Sequence, residues 1–223
     1  MSFTTGDLRY YKRDFWSVEH QKFAVPHHRL QKVAGLVNKI AGAREASLLD
    51  VGCGPGTLAR LLRPNVAYHG IDIAISDPAP NLREADILEE PVGFAGRRFD
   101  IVVAQGLFEY LGDRQSAKFS EIAGILSPEG TFIVSYVNFG HRDREVYWPY
   151  SNVQPLQRFE DSLLRDFVVA RKLPTSHNWR HSEPNRRLVR AANRYFNASV
   201  PWVSSRLAVE YIFICSPRHP VGG

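Results

Sequence analysis

The sequence predicts an α/β fold built on an open, mostly parallel sheet with helices on both faces. An apolar run, Leu48, Leu49 and Val51, leads directly into a glycine-rich segment and then into a helix-like pattern. A second apolar run ends near Asp72, 20 residues after Gly52. Open α/β sheets build a nucleotide site from these parts, at the carboxyl edge of their strands.

Length and composition are those of a single globular domain. The chain has 223 residues, of which 44% are apolar and 23% charged, and this is enough to bury a three-layer core. No apolar run approaches the length of a membrane-spanning helix, and residues 1–13 lack the pattern of a secretory signal. We therefore expect a cytoplasmic protein. The two cysteines, Cys53 and Cys215, do not suggest a disulfide framework.

Positive charge is concentrated towards the C-terminal end of the chain. The formal net charge is +5, which is compatible with a nucleic-acid partner. Between positions 180 and 206 there are six arginines and one acidic residue, Glu183. This cluster is either a solvated helix face or the wall of a site for an anionic or polar substrate.

The N-terminal region is predicted to be an aromatic arm followed by a helix. Residues 9–26 carry several aromatic side chains without a regular period, so we predict an irregular segment. From His27 to Ala41 the apolar residues recur with a period near 3.6, which predicts an amphipathic helix that ends at Gly42.

The glycine-rich segment reads D-x-G-x-G-x-G from Asp50 to Gly56. A dinucleotide fingerprint would need a glycine at the position of Thr57. Glycines permit a tight turn and let backbone N–H groups approach a ligand. The pattern resembles motif I of the class I S-adenosylmethionine-dependent methyltransferases, and a helix is expected to follow it.

The next two predicted strands each end at an acidic residue. Residues 66–73 form an apolar run with Asp72 near its end, and residues 82–85 form a shorter run that stops before Asp86. Two prolines between these runs make the usual helix short or absent. A carboxylate at the tip of the second strand matches the two vicinal hydroxyl donors of a ribose.

Further motifs follow in the order that the family requires. Residues 98–105 predict a fourth strand, and residues 106–111 resemble the family's "x-LEHL" turn. A helix is predicted over about 115–126, and residues 126–130 resemble the "L-x-P-G-G" turn that precedes the fifth strand, 131–137. This ordered set is far more specific than the glycine run alone.

The last third of the chain is less regular. Residues 158–167 predict a helix, residues 167–173 a sixth strand and residues 207–215 a seventh. About thirty residues separate the last two strands, where a hairpin needs only a few. We therefore predict an insertion over 174–206, with a helical pattern at 187–195.

The resemblance implies a doubly wound, mostly parallel seven-stranded sheet with an antiparallel last strand. A helical and aromatic N-terminal arm and a helical insertion between the last two strands complete the expected fold. We predict a single domain, in which residues 1–46 form the arm and first helix and residues 47–137 form the cofactor-binding core. Residues 138–223 would then hold the substrate-side loops, the insertion and the last strands.

The resemblance also implies S-adenosylmethionine as cofactor and S-adenosylhomocysteine as product. The predicted cofactor-binding residues are Tyr11, Trp16, Asp50, Gly52, Gly54, Gly56, Asp72, Ile73, Asp86, Ile87 and Gln105. In the family, the acidic residue after the third strand faces the adenine amino group. Asp86 is the predicted residue for this contact, and Glu84 is the alternative. Tyr11 and Trp16 either close over the cofactor or anchor the arm to the core.

Catalytic residues are expected near the tips of the fourth and fifth strands. Methyl transfer to a hydroxyl requires removal of a proton, and His141 is the first candidate base, since an imidazole accepts a proton at neutral pH. Glu109 is the second candidate base. The alternative for Glu109 is a structural role, and the alternative for His141 is an exposed position in a loop without a catalytic role. The predicted substrate-binding residues are Tyr110, His177, Trp179, Arg180 and His181.

No metal site is predicted, although His177 and His181 would share a face if their segment were helical.

The leading hypothesis is a methyltransferase that acts on an oxygen of a small polar acceptor, such as a hydroxyl of a sugar or a natural product. An amine acceptor is a close variant. The alternative is a partner protein of an acyltransferase without methyl transfer of its own, because residues 133–141 resemble a stretch of the MetW-type proteins of methionine biosynthesis. An RNA methyltransferase is less favoured, since residues 104–107 lack the N/D-P-P-[FYW] motif. We expect a small-molecule acceptor as partner, and neither nucleic acid nor a membrane. The sequence leaves open whether the protein forms a homodimer.

Overall fold

The computed structural model describes residues 13–94, 96–138, 153–177 and 208–218. The helices are α1 Arg13–Phe23, α2 His28–Ala41, α3 Gln115–Ile125 and α4 Leu156–Asp166. The strands are β1 Ala46–Val51, β2 Val66–Asp72, β3 Leu82–Glu84, β4 Phe99–Ala104, β5 Leu126–Val137, β6 Phe167–His177 and β7 Ala208–Pro217. Short 3-10 helices span Thr57–Leu61, Phe108–Tyr110 and Gly112–Arg114.

The described strands form one seven-stranded sheet in the order β3-β2-β1-β4-β5-β7-β6. Strands β1 to β5 pair in parallel, and β7 is antiparallel to both β5 and β6. The predicted sheet with its antiparallel last strand is therefore confirmed. The strand order reverses between β1 and β4, where Val51 pairs with Ala104, and ligands bind at such a switch point in open α/β sheets.

Helices cover both faces of the sheet. On one face, α2 packs with Val33 and Val37 against Leu48 of β1. On the other face, Phe119 of α3 and Phe159 of α4 belong to a second apolar cluster. The alternation of side chains along β1 places Leu48 in one cluster and Leu49 in the other, which explains why two consecutive residues of the strand are apolar. No helix in the described ranges combines the length and the apolarity that crossing a membrane requires.

Two predictions of local structure are wrong. The predicted irregular segment is helical over residues 13–23, because Trp16, His20 and Phe23 recur at helical spacing on one side of α1. The predicted helix after the glycines is present, but as a short 3-10 helix that ends before Leu62, whose backbone is extended. Pro64 lies two residues further on and disfavours a helical conformation of its predecessor.

The second wrong prediction concerns the turn before the fifth strand. Residues 126–130 already belong to β5, because Leu126 pairs with Phe99 and is buried. The register then shifts before Thr131 pairs with Ile101. The tightly packed Gly130 supports this irregularity, since a Cβ there would lie 2.8 Å from the Ser127 carbonyl oxygen.

Other boundaries differ by a few residues. Residues 73–81, between β2 and β3, form no helix, as the two prolines predict. Strand β6 continues to His177, so the insertion begins later than position 174. His177 is therefore the last residue of a strand and not part of a helix. The predicted residues Tyr11, His141, Trp179, Arg180 and His181, and the helical pattern at 187–195, lie outside the described residues.

Candidate active site

A pocket lies at the carboxyl ends of β1, β2 and β4. The predicted cofactor-binding residues that line it are Trp16, Asp50, Gly52, Gly54, Asp72, Ile73, Ile87 and Gln105. The predicted substrate-binding residue Tyr110 lines it as well. Residues that were not expected in the lining include His20 and Phe23 of α1 and His27 and Arg29 at the start of α2.

The glycine turn is tied to the second strand by backbone hydrogen bonds. The N–H groups of Gly52 and Cys53 both donate to the Ile71 carbonyl, at 2.8 and 3.1 Å. Gly52 has a φ of 77°, in the region that favours glycine. A Cβ at Gly52 would also touch Leu107, which follows β4. The turn is therefore packed closely between β2 and the segment after β4.

Asp72 is held in place by the turn that it faces. Its Oδ2 accepts a hydrogen bond from the Gly54 N–H at 2.8 Å, and its Oδ1 accepts one from the Ala74 N–H at 3.1 Å. His20 approaches the same Oδ1, with Nε2 at 3.3 Å. This carboxylate is thus fixed at the tip of β2, at the place predicted for a ribose contact.

Asp50 is buried beneath the glycine turn. Its Oδ2 accepts a hydrogen bond from the Tyr68 hydroxyl at 3.0 Å. Burial raises the pKa of Asp50 to about 7; the hydrogen bond from Tyr68 lowers it, and the nearby Asp72 raises it further. A cation in the pocket would favour the ionised carboxylate that burial disfavours.

Two predicted cofactor residues lie outside the pocket lining. Gly56 is the N-cap of the 3-10 helix that follows the turn. Asp86 accepts a hydrogen bond from the Leu88 N–H at 2.9 Å, while its neighbours Ala85 and Ile87 line the pocket. The competitor Glu84 pairs with Arg13 of α1. The side of the pocket next to β3 is therefore lined by the apolar side chains of Ala85 and Ile87.

The other end of the pocket is built around Arg29. Its Nη1 forms an ion pair with Glu210 of β7, and the other oxygen of Glu210 accepts a hydrogen bond from the Thr175 hydroxyl at 2.6 Å. Burial alone would raise the pKa of Glu210, but Arg29 and the hydroxyls of Thr175 and Ser135 hold it below its ordinary value. The Ser135 Oγ also accepts a hydrogen bond from the Gly106 N–H at 2.9 Å. Arg29 is thus held by Glu210 of β7, whose carboxylate is in turn held by Thr175 of β6.

Glu109 lies beneath the pocket rather than in its lining. It is 6% exposed, and among the described residues neither of its carboxyl oxygens has a hydrogen-bond partner. Burial, followed by repulsion from Glu210, raises the pKa of Glu109 to about 8, although Arg29 and two backbone N–H groups oppose the shift. These N–H groups, of Glu109 and Val137, do not reach hydrogen-bonding geometry. Burial therefore favours the protonated form of Glu109 near neutral pH.

Other lining residues contribute further polar and aromatic groups. The buried Oε1 of Gln105 has no hydrogen-bond partner within the described ranges. The Trp16 and Tyr110 rings form a T-shaped pair with a centroid distance of 5.5 Å. His27 caps α2, where its Nδ1 accepts a hydrogen bond from the Leu30 N–H. Burial, Arg29 and His28 lower the pKa of His27, against the opposing effect of Glu210, so its ring is neutral at neutral pH.

His177 is described only as the last residue of β6, paired with Ala208. The described residues contain no group of three or more His, Cys, Asp or Glu arranged to bind a metal ion. His20 and Arg29 were not among the predicted site residues. A signal for His20 is its helical spacing with Trp16 and Phe23, whereas the partner of Arg29 is 181 residues away in the sequence.

The fold and this pocket define a class I S-adenosylmethionine-dependent methyltransferase. A family model described as a methyltransferase domain matches residues 25–173, more than half of the chain. The chain belongs to this family.

The chain is also similar to individual methyltransferases. It is 33% identical to ubiquinone biosynthesis O-methyltransferase of Methylobacterium sp. (strain 4-46) over 107 residues, which are 41% of each protein. It is 27% identical to trans-aconitate 2-methyltransferase of Klebsiella pneumoniae (strain 342) over 114 residues, 48% of this chain and 45% of that protein. The chain thus spans less than half the length of these two relatives.

A solved structure shares the fold over nearly its whole length. The plantazolicin methyltransferase BpumL, in complex with SAH, superposes with a TM-score of 0.61 at 15% identity and covers 96% of this chain and 94% of its own. The residues present here fit the cofactor of the class, because one pocket is lined by a fixed carboxylate, an apolar wall and an amide oxygen without a hydrogen-bond partner in the described part of the chain. The cofactor is S-adenosylmethionine.

Proposed function

We propose that the protein transfers the methyl group of S-adenosylmethionine to an oxygen of a small polar acceptor, most simply a hydroxyl. The observation that supports this proposal is the continuity of the pocket, from Asp72 and Gly54 at one end to Arg29 and Gly106 at the other. The first end offers a carboxylate to the ribose, and the second is free to hold the acceptor. The ubiquinone biosynthesis relative is an O-methyltransferase by name, which supports oxygen as the receiving atom.

S-adenosylmethionine supplies a methyl group that is already activated on a sulfonium, so the protein's task is to position the acceptor and remove its proton. A new bond forms between the acceptor oxygen and the methyl carbon as the carbon–sulfur bond breaks, and its electron pair stays on sulfur. The hydroxyl proton passes to a base or to water. The largely apolar lining would leave the acceptor oxygen poorly hydrated.

The charge balance at the acceptor end favours a neutral acceptor. Arg29 is paired with Glu210, and burial favours the protonated form of the neighbouring Glu109 near neutral pH. A site for a carboxylate acceptor would be expected to contain an unpaired cation, and a site for an ammonium acceptor would be expected to contain an ionised carboxylate. Neither is offered by these three side chains, whereas the amide of Gln105 and the hydroxyl of Tyr110 suit a hydroxyl-bearing molecule such as a sugar or a natural product.

His141 is the residue that we propose as the base. His27 is a poor candidate because its Nδ1 accepts the Leu30 N–H, which leaves the proton of the neutral ring on Nε2. Glu109 lies outside the pocket lining, and burial favours its protonated form. His177, Trp179, Arg180 and His181 remain proposed acceptor-binding residues beside Tyr110.

The test has two stages. Calorimetry of the wild type with S-adenosylmethionine and S-adenosylhomocysteine should show binding to one site. Release of S-adenosylhomocysteine is then followed with panels of neutral hydroxyl, carboxylate and amine acceptors, and with His141→Ala. We expect turnover with the hydroxyl panel and its loss in His141→Ala, which should still bind cofactor.

Other outcomes would change the proposal. Turnover only with amines or carboxylates would contradict a neutral oxygen acceptor. Cofactor binding without transfer to any acceptor, together with copurification of an acyltransferase, would favour the alternative of a partner protein. A folded wild type that binds no cofactor would refute methyl transfer altogether.

A further inference from the structure

The helix α1 lies before the segment that the family model matches, which begins at residue 25. Even so, its side chains Trp16, His20 and Phe23 line the pocket. Of these, His20 is 3% exposed and is the one that carries polar ring atoms close to the proposed ribose contact. The position of α1 is therefore relevant to cofactor binding.

The ring of His20 lies between α1 and the tip of β2. Its Nε2 is 3.3 Å from Oδ1 of Asp72, and its Nδ1 is 3.1 Å from the Ser76 Oγ. Because an ionised carboxylate only accepts hydrogen bonds, Nε2 carries the proton in the neutral ring and Nδ1 accepts from the Ser76 hydroxyl. On the turn side, a Cβ at Gly54 would lie 3.9 Å from the ring.

Contacts near both ends of α1 hold it over the pocket. The Phe23 carbonyl accepts a hydrogen bond from the Thr57 hydroxyl at 2.7 Å, and Arg13 forms an ion pair with Glu84 of β3. Trp16 reaches across to Tyr110. Since these contacts attach α1 to three separate parts of the sheet edge, His20 is held at a defined place.

Hydrogen-bond capacity shows what His20 contributes. A carboxylate has roughly four acceptor positions. Asp72 already uses positions for Gly54 and Ala74, and a third for His20. The remaining capacity is open to the vicinal hydroxyls of a ribose. Both ring nitrogens of His20 are already used, by Asp72 and by Ser76, so the ring can act on the ribose only through the carboxylate that it orients.

We propose that His20 is a positioning residue of the ribose-binding site, which acts through Asp72. In this arrangement the ring orients the carboxylate and couples the docking of α1 to retention of the cofactor. The inference rests on the proposed cofactor binding and adds a residue outside the matched family segment.

The test measures affinity and dissociation rate of S-adenosylhomocysteine with wild type, His20→Ala and His20→Gln. We expect His20→Ala to raise Kd and the dissociation rate about tenfold, as for loss of one hydrogen bond to a charged group. His20→Gln keeps an N–H donor and should recover part of the affinity. Lys22→Ala, on the exposed side of the same helix, is the matched control and should bind as the wild type does.

A second ligand separates ribose recognition from simple packing of α1. The 2′-deoxy analogue of S-adenosylhomocysteine should bind less tightly than the parent to wild type, and this difference should shrink in His20→Ala. Unchanged affinity in His20→Ala, tighter binding, or an equal loss for both ligands would overturn the proposal. Failure of the wild type to bind either ligand would instead refute the proposed function, so the two failures are distinguishable.

Discussion

The guanidinium of Arg29 lies against the backbone of Gly106, so that a Cβ built on Gly106 would be 2.9 Å from Nη2. The ion pair with Glu210 prevents the guanidinium from simply moving aside. Gly106 also has a φ of 59°, which favours glycine. This contact joins the start of α2 to the carboxyl end of β4, at the proposed acceptor end of the pocket.

Substitution of Gly106 by alanine should therefore disturb Arg29. The backbone conformation alone costs about 1 kcal/mol of unfolding free energy, and displacement of the guanidinium should add to this and raise the KM for the acceptor. Gly96→Ala is the matched control, because Gly96 has a φ of 70° and an added Cβ there would meet no atom within 4 Å. Denaturant unfolding and steady-state kinetics measure the two effects. Equal stability and equal KM in both variants would show that the Arg29 guanidinium moves aside without a measurable cost.

The ion pair between Arg29 and Glu210 should contribute strongly to stability. Removal of one partner of a buried pair costs about 3–5 kcal/mol, so we expect Glu210→Gln to lose several kcal/mol at pH 7. The pKa of Glu210 is held low, so its stabilisation is present above the unfolded pKa of 4.5 and is lost as the pH falls through the folded value. The difference between wild type and variant should therefore shrink in acid, as measured by urea unfolding across pH.

An exposed ion pair provides the comparison. In the pair between Arg158 and Asp113, the side chains are 63% and 45% exposed, and such pairs contribute about 0.2–1 kcal/mol. Asp113→Asn should accordingly have little effect. A similar loss in both variants would mean that burial does not strengthen the Arg29–Glu210 pair.

Glu109 should make the protein less stable as the pH rises. Its pKa is raised from 4.5 to about 8 in the folded state, so the folded protein retains a proton that the unfolded chain releases, and stability falls across that interval. Each pH unit costs about 1.4 kcal/mol, which predicts that Glu109→Gln gains on the order of 2 kcal/mol relative to wild type between pH 6 and pH 8. Thermal unfolding in a pH series measures this gain.

The control for this experiment is Glu129→Gln, which removes an exposed carboxylate from the same part of the chain. Its unfolding free energy should follow that of the wild type at every pH. Parallel curves for wild type and Glu109→Gln would contradict the raised pKa of Glu109.

Asp72 should determine the affinity for the cofactor. Asp72→Asn loses charge and half of its acceptor capacity, so we expect Kd for S-adenosylhomocysteine to rise at least about tenfold by calorimetry. Asp86→Asn should have a smaller effect, because Asp86 lies outside the pocket lining and accepts a hydrogen bond from Leu88. The exposed Asp77→Asn is the neutral control. An equal loss of affinity in Asp86→Asn would show that Asp86 contacts the cofactor directly.

Local patterns in the sequence were sufficient for the central part of the fold. The strands around Asp50 and Asp72, the glycine spacing and the helix α2 depend on apolar periodicity and on backbone freedom at glycine. These properties belong to short segments, so they can be read without knowledge of the rest of the chain. They determined the fold class, the family and the placement of Asp72 at the pocket.

The tertiary structure decided which groups share an environment. The pairing of Arg29 with Glu210 joins residues 181 positions apart, and the raised pKa of Glu109 follows from burial beside that pair. His20 reaches Asp72 only because α1 docks over β2. Ionisation and hydrogen bonding depend on neighbours in space, and a sequence pattern specifies neighbours only along the chain. The sequence by itself therefore determined the class of protein and its cofactor, whereas the charge balance of the acceptor end and the role of α1 depend on the folded chain.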